Sequence, residues 1–219
     1  MPKPIIAAAA PAVDRNETDA NLLRELANGA QSVGAPEYLE ALTRIANRLE
    51  SDAKRDADYD KLQDIGKTAF ESIAEMVAAL ECDYDRLEEL REFSKLDPTD
   101  DHCADDLLTV EDQQDLIDLA KAAGDCESRE DAEQRIHEDP LSIELSGTWS
   151  IGDTPTADKA IILLGTGGPA VRIVCELDGD EPRRAWLETQ DWFQPWTEYR
   201  GGDSETLLTY CRCFYFGEG

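Results

Sequence analysis

Ala160-Ile161-Ile162-Leu163-Leu164 and Val171-Arg172-Ile173-Val174-Cys175-Glu176-Leu177 are two compact β-prone runs, separated by Gly165-Thr166-Gly167-Gly168-Pro169. A second turn sequence, Asp178-Gly179-Asp180-Glu181-Pro182, closes the second run. Branched and apolar residues suit a pleated, half-buried surface, and glycine, proline and aspartate supply the backbone angles of tight connections. Working outward, Ile143–Ser150 and Arg184–Thr189 alternate apolar with polar residues, the period of a strand with one buried face. Four strands joined by short turns predict an antiparallel meander. Beyond the aromatic stretch Asp191–Tyr199 and Gly201-Gly202, Ser204–Phe216 has helical periodicity. Leu207, Leu208, Cys211 and Phe214 would cover one sheet face.

Upstream of Pro140 the pattern is helical. Leu22, Leu23 and Leu26, and then Tyr38, Leu39, Leu42, Ile45, Ala46 and Leu49, recur at spacings of three and four. Ile73, Met76, Val77, Leu80, Tyr84 and Leu87 predict a single helix over 70–94, with Leu90 near the margin of its apolar stripe. Asp97-Pro98 ends it, because the residue before proline is disfavoured in the α region. Thr109 is read as the N-cap of a further helix, with Asp112 as its capping-box partner, Leu116, Leu119 and Ala120 on the inner face, and Gly124 at the end. Ser128 would cap another helix reaching His137. The expectation is an α+β protein: an acidic helical region over 1–140, then a four-stranded antiparallel meander with a C-terminal covering helix over 141–219.

The chain of 219 residues carries 49 acids against 21 bases, a net charge of −28. Residues 71–140 hold 24 of those acids and 6 of the bases. No Lys or Arg lies between Lys95 and Lys121. With 41% hydrophobic residues it lacks the composition of a disordered acidic tail. No apolar run approaches the roughly 20 residues needed to span a bilayer. The stretch from Pro4 to Pro11 is too short and too weakly basic for a secretory signal. A field of this sign repels nucleic acid and anionic membrane and attracts basic protein surfaces. The plain alternative is solvation, since charge runs usually form solvated faces. Six cysteines without a CxxC pair fit free, mostly buried thiols in a reducing cytoplasm.

Motifs for chemistry are sparse. The 165–169 turn lacks the Gly-Lys-Ser/Thr ending of a P-loop and no helix follows it. Asp100, Asp101, His102, Cys103, Asp105 and Asp106 include ligand types but match neither zinc nor EF-hand spacing. Glu176-x-Asp178-x-Asp180 reads first as a hairpin tip. The two histidines, His102 and His137, stand in acidic stretches without an evident nucleophile partner. No catalytic residue, metal or cofactor is therefore expected. The aromatic group Trp186, Trp192, Phe193, Trp196 and Tyr199 reads as core packing, with a protein-contact surface as the alternative.

Several segments carry a resemblance. They are Leu163–Ala170, Arg172-Ile173-Val174, Glu176-Leu177-Asp178, Gln190-Asp191-Trp192-Phe193 with Pro195-Trp196-Thr197, Cys213-Phe214-Tyr215-Phe216-Gly217-Glu218, and Met76–Leu90. Together these segments, within 76–90 and 163–218, resemble a family of accessory proteins of bacteriophages, prophages and plasmids. The resemblance implies a mobile element in a bacterial cytoplasm and supplies no catalytic residues. In that setting a concentrated acidic face suits a nucleic-acid mimic. It would bind and inhibit a basic nucleic-acid-binding complex of host defence, of the CRISPR or restriction kind. Glu75, Asp85, Glu88, Glu89, Glu92, Asp100, Asp101, Asp105 and Asp106 are the expected contact residues. The alternative is an interaction module that meets its partner through the aromatic C-terminal domain. Direct nucleic-acid and membrane binding are not expected, and a homodimer stays open.

Overall fold

Among the described side chains of the N-terminal unit, alanines and not leucines form the buried seam. The computed structural model describes residues 15–32, 36–94, 109–147, 157–192 and 194–217, excluding the side chains of 15–18 and 29–40. It divides into two compact units, 1–61 and 62–219. Helix α1 (Arg15–Ser32) and the first part of α2 (Pro36–Leu80) make up the former. Ala20 and Ala27 on α1, and Ala46 and Ala53 on α2, are buried. Each pair is seven residues apart and so lies on one helix face. Arg24 joins the helices, donating to Asn47 Oδ1 at 3.4 Å and pairing with Glu50. The expected stripes are corrected in part: Ala46 is buried as expected, but Leu22, Leu26 and Ile45 are exposed. At about 100° per residue, Leu22 and Leu26 fall roughly 200° and 240° from Ala20. Burying the alanines therefore turns those leucines outward.

The second unit is built on a five-stranded antiparallel sheet in chain order. Its strands are β1 (Ser142–Ser146), β2 (Lys159–Gly165), β3 (Ala170–Asp178), β4 (Glu181–Gln190) and β5 (Thr197–Glu198). The meander is as expected, with one strand more. Pairing places Ile143, Ile162, Ile173 and Leu187 in one row and Leu145, Ala160, Cys175 and Ala185 in the next. Period-two alternation puts both rows on the same face. Ile162, Ile173, Cys175 and Leu187 are buried there, in one core with Ile73, Met76 and Val77 of α2 and Ile136 of α5 (Arg129–Glu138). Helix α6 (Ser204–Cys211) adds Leu207, Leu208, Tyr210 and Cys211 to that core. The helices expected to form a region of their own over 1–140 are thus shared between the two units.

Side-chain caps explain where the helices begin. Thr109 opens α4 (Val110–Ala123): its Oγ1 accepts from Asp112 N at 3.1 Å while its own N–H reaches Asp112 Oδ2 at 3.1 Å. Ser128 caps α5 and Asp203 caps α6. The expected single helix over 70–94 is instead two. Helix α2 ends at Leu80, and α3 runs Tyr84–Ser94. Asp83 causes the restart, because its Oδ1 accepts from Arg86 N at 3.0 Å, a cap that competes with continued helix. Leu90, placed at the margin of the stripe, is buried as a result of the new phase. The last helix also stops short of Phe216, at Cys211.

Helix α2 docks on the β5 edge through complementary polar contacts. Gln63 Nε2 donates to the Glu198 carbonyl at 3.0 Å, and Arg200 N donates to Gln63 Oε1 at 3.1 Å. The buried Thr189 hydroxyl donates to the Leu62 carbonyl at 3.1 Å. These contacts give the two-residue strand its place.

At the other end of the core, buried Tyr210 donates to Asp139 Oδ2 at 2.7 Å. Burial first, then this bond to Asp139, pushes the phenol above its ordinary value of 10. A group whose folded-state pKa is raised contributes stability that is complete below the unfolded value and lost as pH rises through the folded one. Stability to urea should therefore fall from about pH 10 upward. Tyr210→Phe should lower stability by about 1–3 kcal/mol at pH 8, since it removes a bond to a charged acceptor, and should flatten that alkaline fall. An equal fall in parent and variant between pH 9 and 11 would contradict the assignment.

Candidate partner-binding surface

Leu87 and Leu90 are buried and fix the inner face of α3, which turns Asp85, Glu88, Glu89 and Glu92 to the exposed side. A cleft of about 700 Å³ opens between this helix and the start of α5. From the α3 side it is lined by Asp83, Asp85, Glu88 and Glu92, and from the α5 side by Glu127 and Glu130. Arg91 and Arg129 also line it. Glu130 stands in the first turn of α5, where a carboxylate also favours the helix dipole. The cleft acids thus combine local helix chemistry with a shared external field.

Arg86 braces the far side of α3. Its guanidinium donates to Glu89 Oε2 at 2.6 Å and to Asp112 Oδ1 at 2.5 Å, joining α3 to α4. The bond to Glu89 is the main reason the guanidinium is held above its ordinary value. Asp112 is held below the ordinary carboxylate value, first by the Thr109 hydroxyl and backbone and then by Arg86. At the floor of the cleft the Tyr84 phenol is pushed up to about 12, by burial first and then by the Cys126 and Cys82 thiols. Burial and Asp83 push the Cys82 thiol up as well, and its Sγ donates to the Leu119 carbonyl at 3.5 Å. Both groups are therefore neutral at pH 7, and the charge of the cleft is that of its carboxylates and arginines.

Of the expected contact residues, Asp85, Glu88 and Glu92 come together in the cleft. Glu89 is exposed but paired with Arg86, on the side facing α4. Glu75 is exposed on α2, on the other side of the helix break. Asp100, Asp101, Asp105 and Asp106 lie outside the described residues. Asp83, Glu127 and Glu130 were missed, although the cap read at Ser128 already places Glu130 in the first turn of its helix. Among the described residues no group of three or more His, Cys, Asp or Glu could hold a metal ion. The carboxylates are spread along the cleft and do not converge on a point.

The aromatic residues are dispersed. Arg172 sits 4.1 Å from the Trp196 ring centroid and pairs with Glu188 at 2.6 Å. Trp186 Nε1 donates to Glu188 at 2.9 Å. Tyr199 lies on Gly66, Trp192 is exposed, and Phe193 is outside the described residues. His137 Nε2 lies 2.6 Å from the Cys213 carbonyl; a carbonyl only accepts, so that nitrogen carries the hydrogen. No described helix is long and apolar enough to cross a membrane.

Fold and cleft define an acidic α+β protein whose charged groove lies beside the sheet core. Comparison with protein-family models, with curated proteins and with solved structures finds no match to this chain.

Proposed function

We propose that this protein is a non-catalytic nucleic-acid mimic that binds a basic, nucleic-acid-binding complex of host defence through the α3–α5 cleft. The observation that carries it is the gathering of six carboxylates from two separate elements along one groove. Asp85, Glu88 and Glu92 span roughly 10 Å of helix axis, a length over which duplex DNA presents about six charges. Asp83, Glu127 and Glu130 bring the cleft to the same number, and Arg91 and Arg129 reduce its net charge to −4. The resemblance to mobile-element accessory proteins supplies the setting.

The test is a triple variant, Asp85→Asn, Glu88→Gln, Glu92→Gln, compared with the parent for binding to CRISPR and restriction complexes across a salt series. Binding to the cognate complex should weaken at least tenfold, with a shallower dependence on salt, and duplex DNA should displace the parent. Unchanged affinity and salt dependence in the variant would defeat the proposal.

A second reading, contact through the aromatic C-terminal part, is favoured by the exposure of Trp192 and Tyr215. Truncation at residue 140 cannot separate the two, because it would divide one core. Trp192→Ala and Tyr215→Ala in the full chain do separate them.

A further inference from the structure

The buried sheet face does not end where its cover ends. The row Leu187, Ile173, Ile162 continues to Ile143 on β1, and the row Ala185, Cys175, Ala160 continues to Leu145. Ile162 and Ala160 are fully buried, yet Ile143 is 40% exposed, Leu145 48% and Leu141, just before the strand, 60%. Strand β1 is also the terminal strand of the sheet, so among the described residues no strand pairs with its outer edge. Natural sheets protect such edges with charge on the exposed side, proline or a bulge. Here the apolar side carries no charge, and Glu144, on the opposite side of the strand, is the one charged residue in β1.

We infer that the β1 edge takes an added antiparallel or parallel strand from a basic partner, with apolar and Lys/Arg residues in alternation. The alternation follows from the pleat. Residues beside Leu141, Ile143 and Leu145 extend the core row and must be apolar, whereas those beside Glu144 share its face and meet its charge. Charge complementarity selects the partner: a net of −28 opposes a second copy of this chain and attracts a basic strand. The inference rests on the partner being basic but uses a different surface from the acidic cleft.

The probe is a fluorescent peptide of alternating Lys and Val, compared with an isomer of the same composition in which the lysines and valines form two blocks. Anisotropy with the full chain should show saturable binding of the alternating peptide, at least tenfold tighter than of the block isomer. Ile143→Asp should weaken that binding at least tenfold even though it makes the edge more acidic. Simple charge attraction predicts the reverse sign. Ile143→Thr, which keeps a β-branched residue and the strand, should weaken it in the same direction, and an unchanged melting temperature shows that the fold is kept. The Asp85→Asn, Glu88→Gln, Glu92→Gln variant should bind the alternating peptide as the parent does, so failure of the cleft and failure of the edge are read separately. Equal binding of the two peptides, no binding of either, or tighter binding by Ile143→Asp overturns the inference. So does a parent dimer in sedimentation that Ile143→Asp abolishes, which would put a second copy on the edge.

Discussion

Ile173→Ala is expected to destabilise unit 62–219 by about 2–5 kcal/mol, the range for truncating a buried aliphatic side chain that leaves a cavity. Ile173 lies near the centre of β3, fully buried and paired with Ile162 and Leu187 on the neighbouring strands. For a unit of this size, such a loss lowers the melting temperature by roughly 6–15 °C. Its informative companion is Ile73→Ala, on α2 and more than ninety residues upstream. Because Ile73 and Ile173 belong to the same core, both substitutions should move one cooperative transition by comparable amounts. Circular dichroism at helix-sensitive wavelengths, followed together with tryptophan fluorescence from the sheet, measures this directly. A split in which Ile73→Ala shifts only the helical signal would mean that helices and sheet melt independently.

Gly66→Ala is the second large effect, and its sign is the opposite of what helix propensity alone predicts. In an exposed helix interior, alanine is better than glycine by about 1 kcal/mol. Here Tyr199 packs directly on Gly66, and a Cβ at that position would meet Tyr199 Cβ and Cγ at 2.7 Å. Those atoms are the root of the side chain and cannot swing aside, so α2 and the β5 segment must separate. Overpacking of this kind costs about 1–3 kcal/mol, with the nearby Gln63–Arg200 and Gln63–Glu198 bonds placed under strain. Set against the propensity gain, this leaves a net loss of up to about 2 kcal/mol in chemical denaturation. Tyr199→Ala in the Gly66→Ala background should relieve the clash, so the pair should be strongly non-additive. A stabilised Gly66→Ala single variant would show that the contact with Tyr199 is not constraining.

Much of the fold was legible because its determinants are local. Alternation and turn chemistry around Gly165–Pro169 and Asp178–Pro182 set the meander, and the caps at Thr109 and Ser128 set two helix starts, since a side chain reaches its own backbone whatever surrounds it. The concentration of acids in 71–140 was equally plain. Other features were less so. Asp83 competes with a favourable apolar stripe, and its cap divides the expected helix, separating Glu75 from Asp85, Glu88 and Glu92. The two-residue β5 has no period to detect and exists through Gln63 on a distant helix.

From the sequence alone came the class α+β, the order of four of the strands, the caps at Thr109 and Ser128 and the sign and location of the charge, because each depends on neighbours in the chain. Tertiary structure decided which face of a periodic helix is buried, as with Ala20 and Ala27 in place of Leu22 and Leu26. It also decided which carboxylates share a groove and which strand, among the described residues, ends the sheet with an exposed apolar side. Periodicity defines the faces of an element, but only the elements packed against it determine which face loses its water.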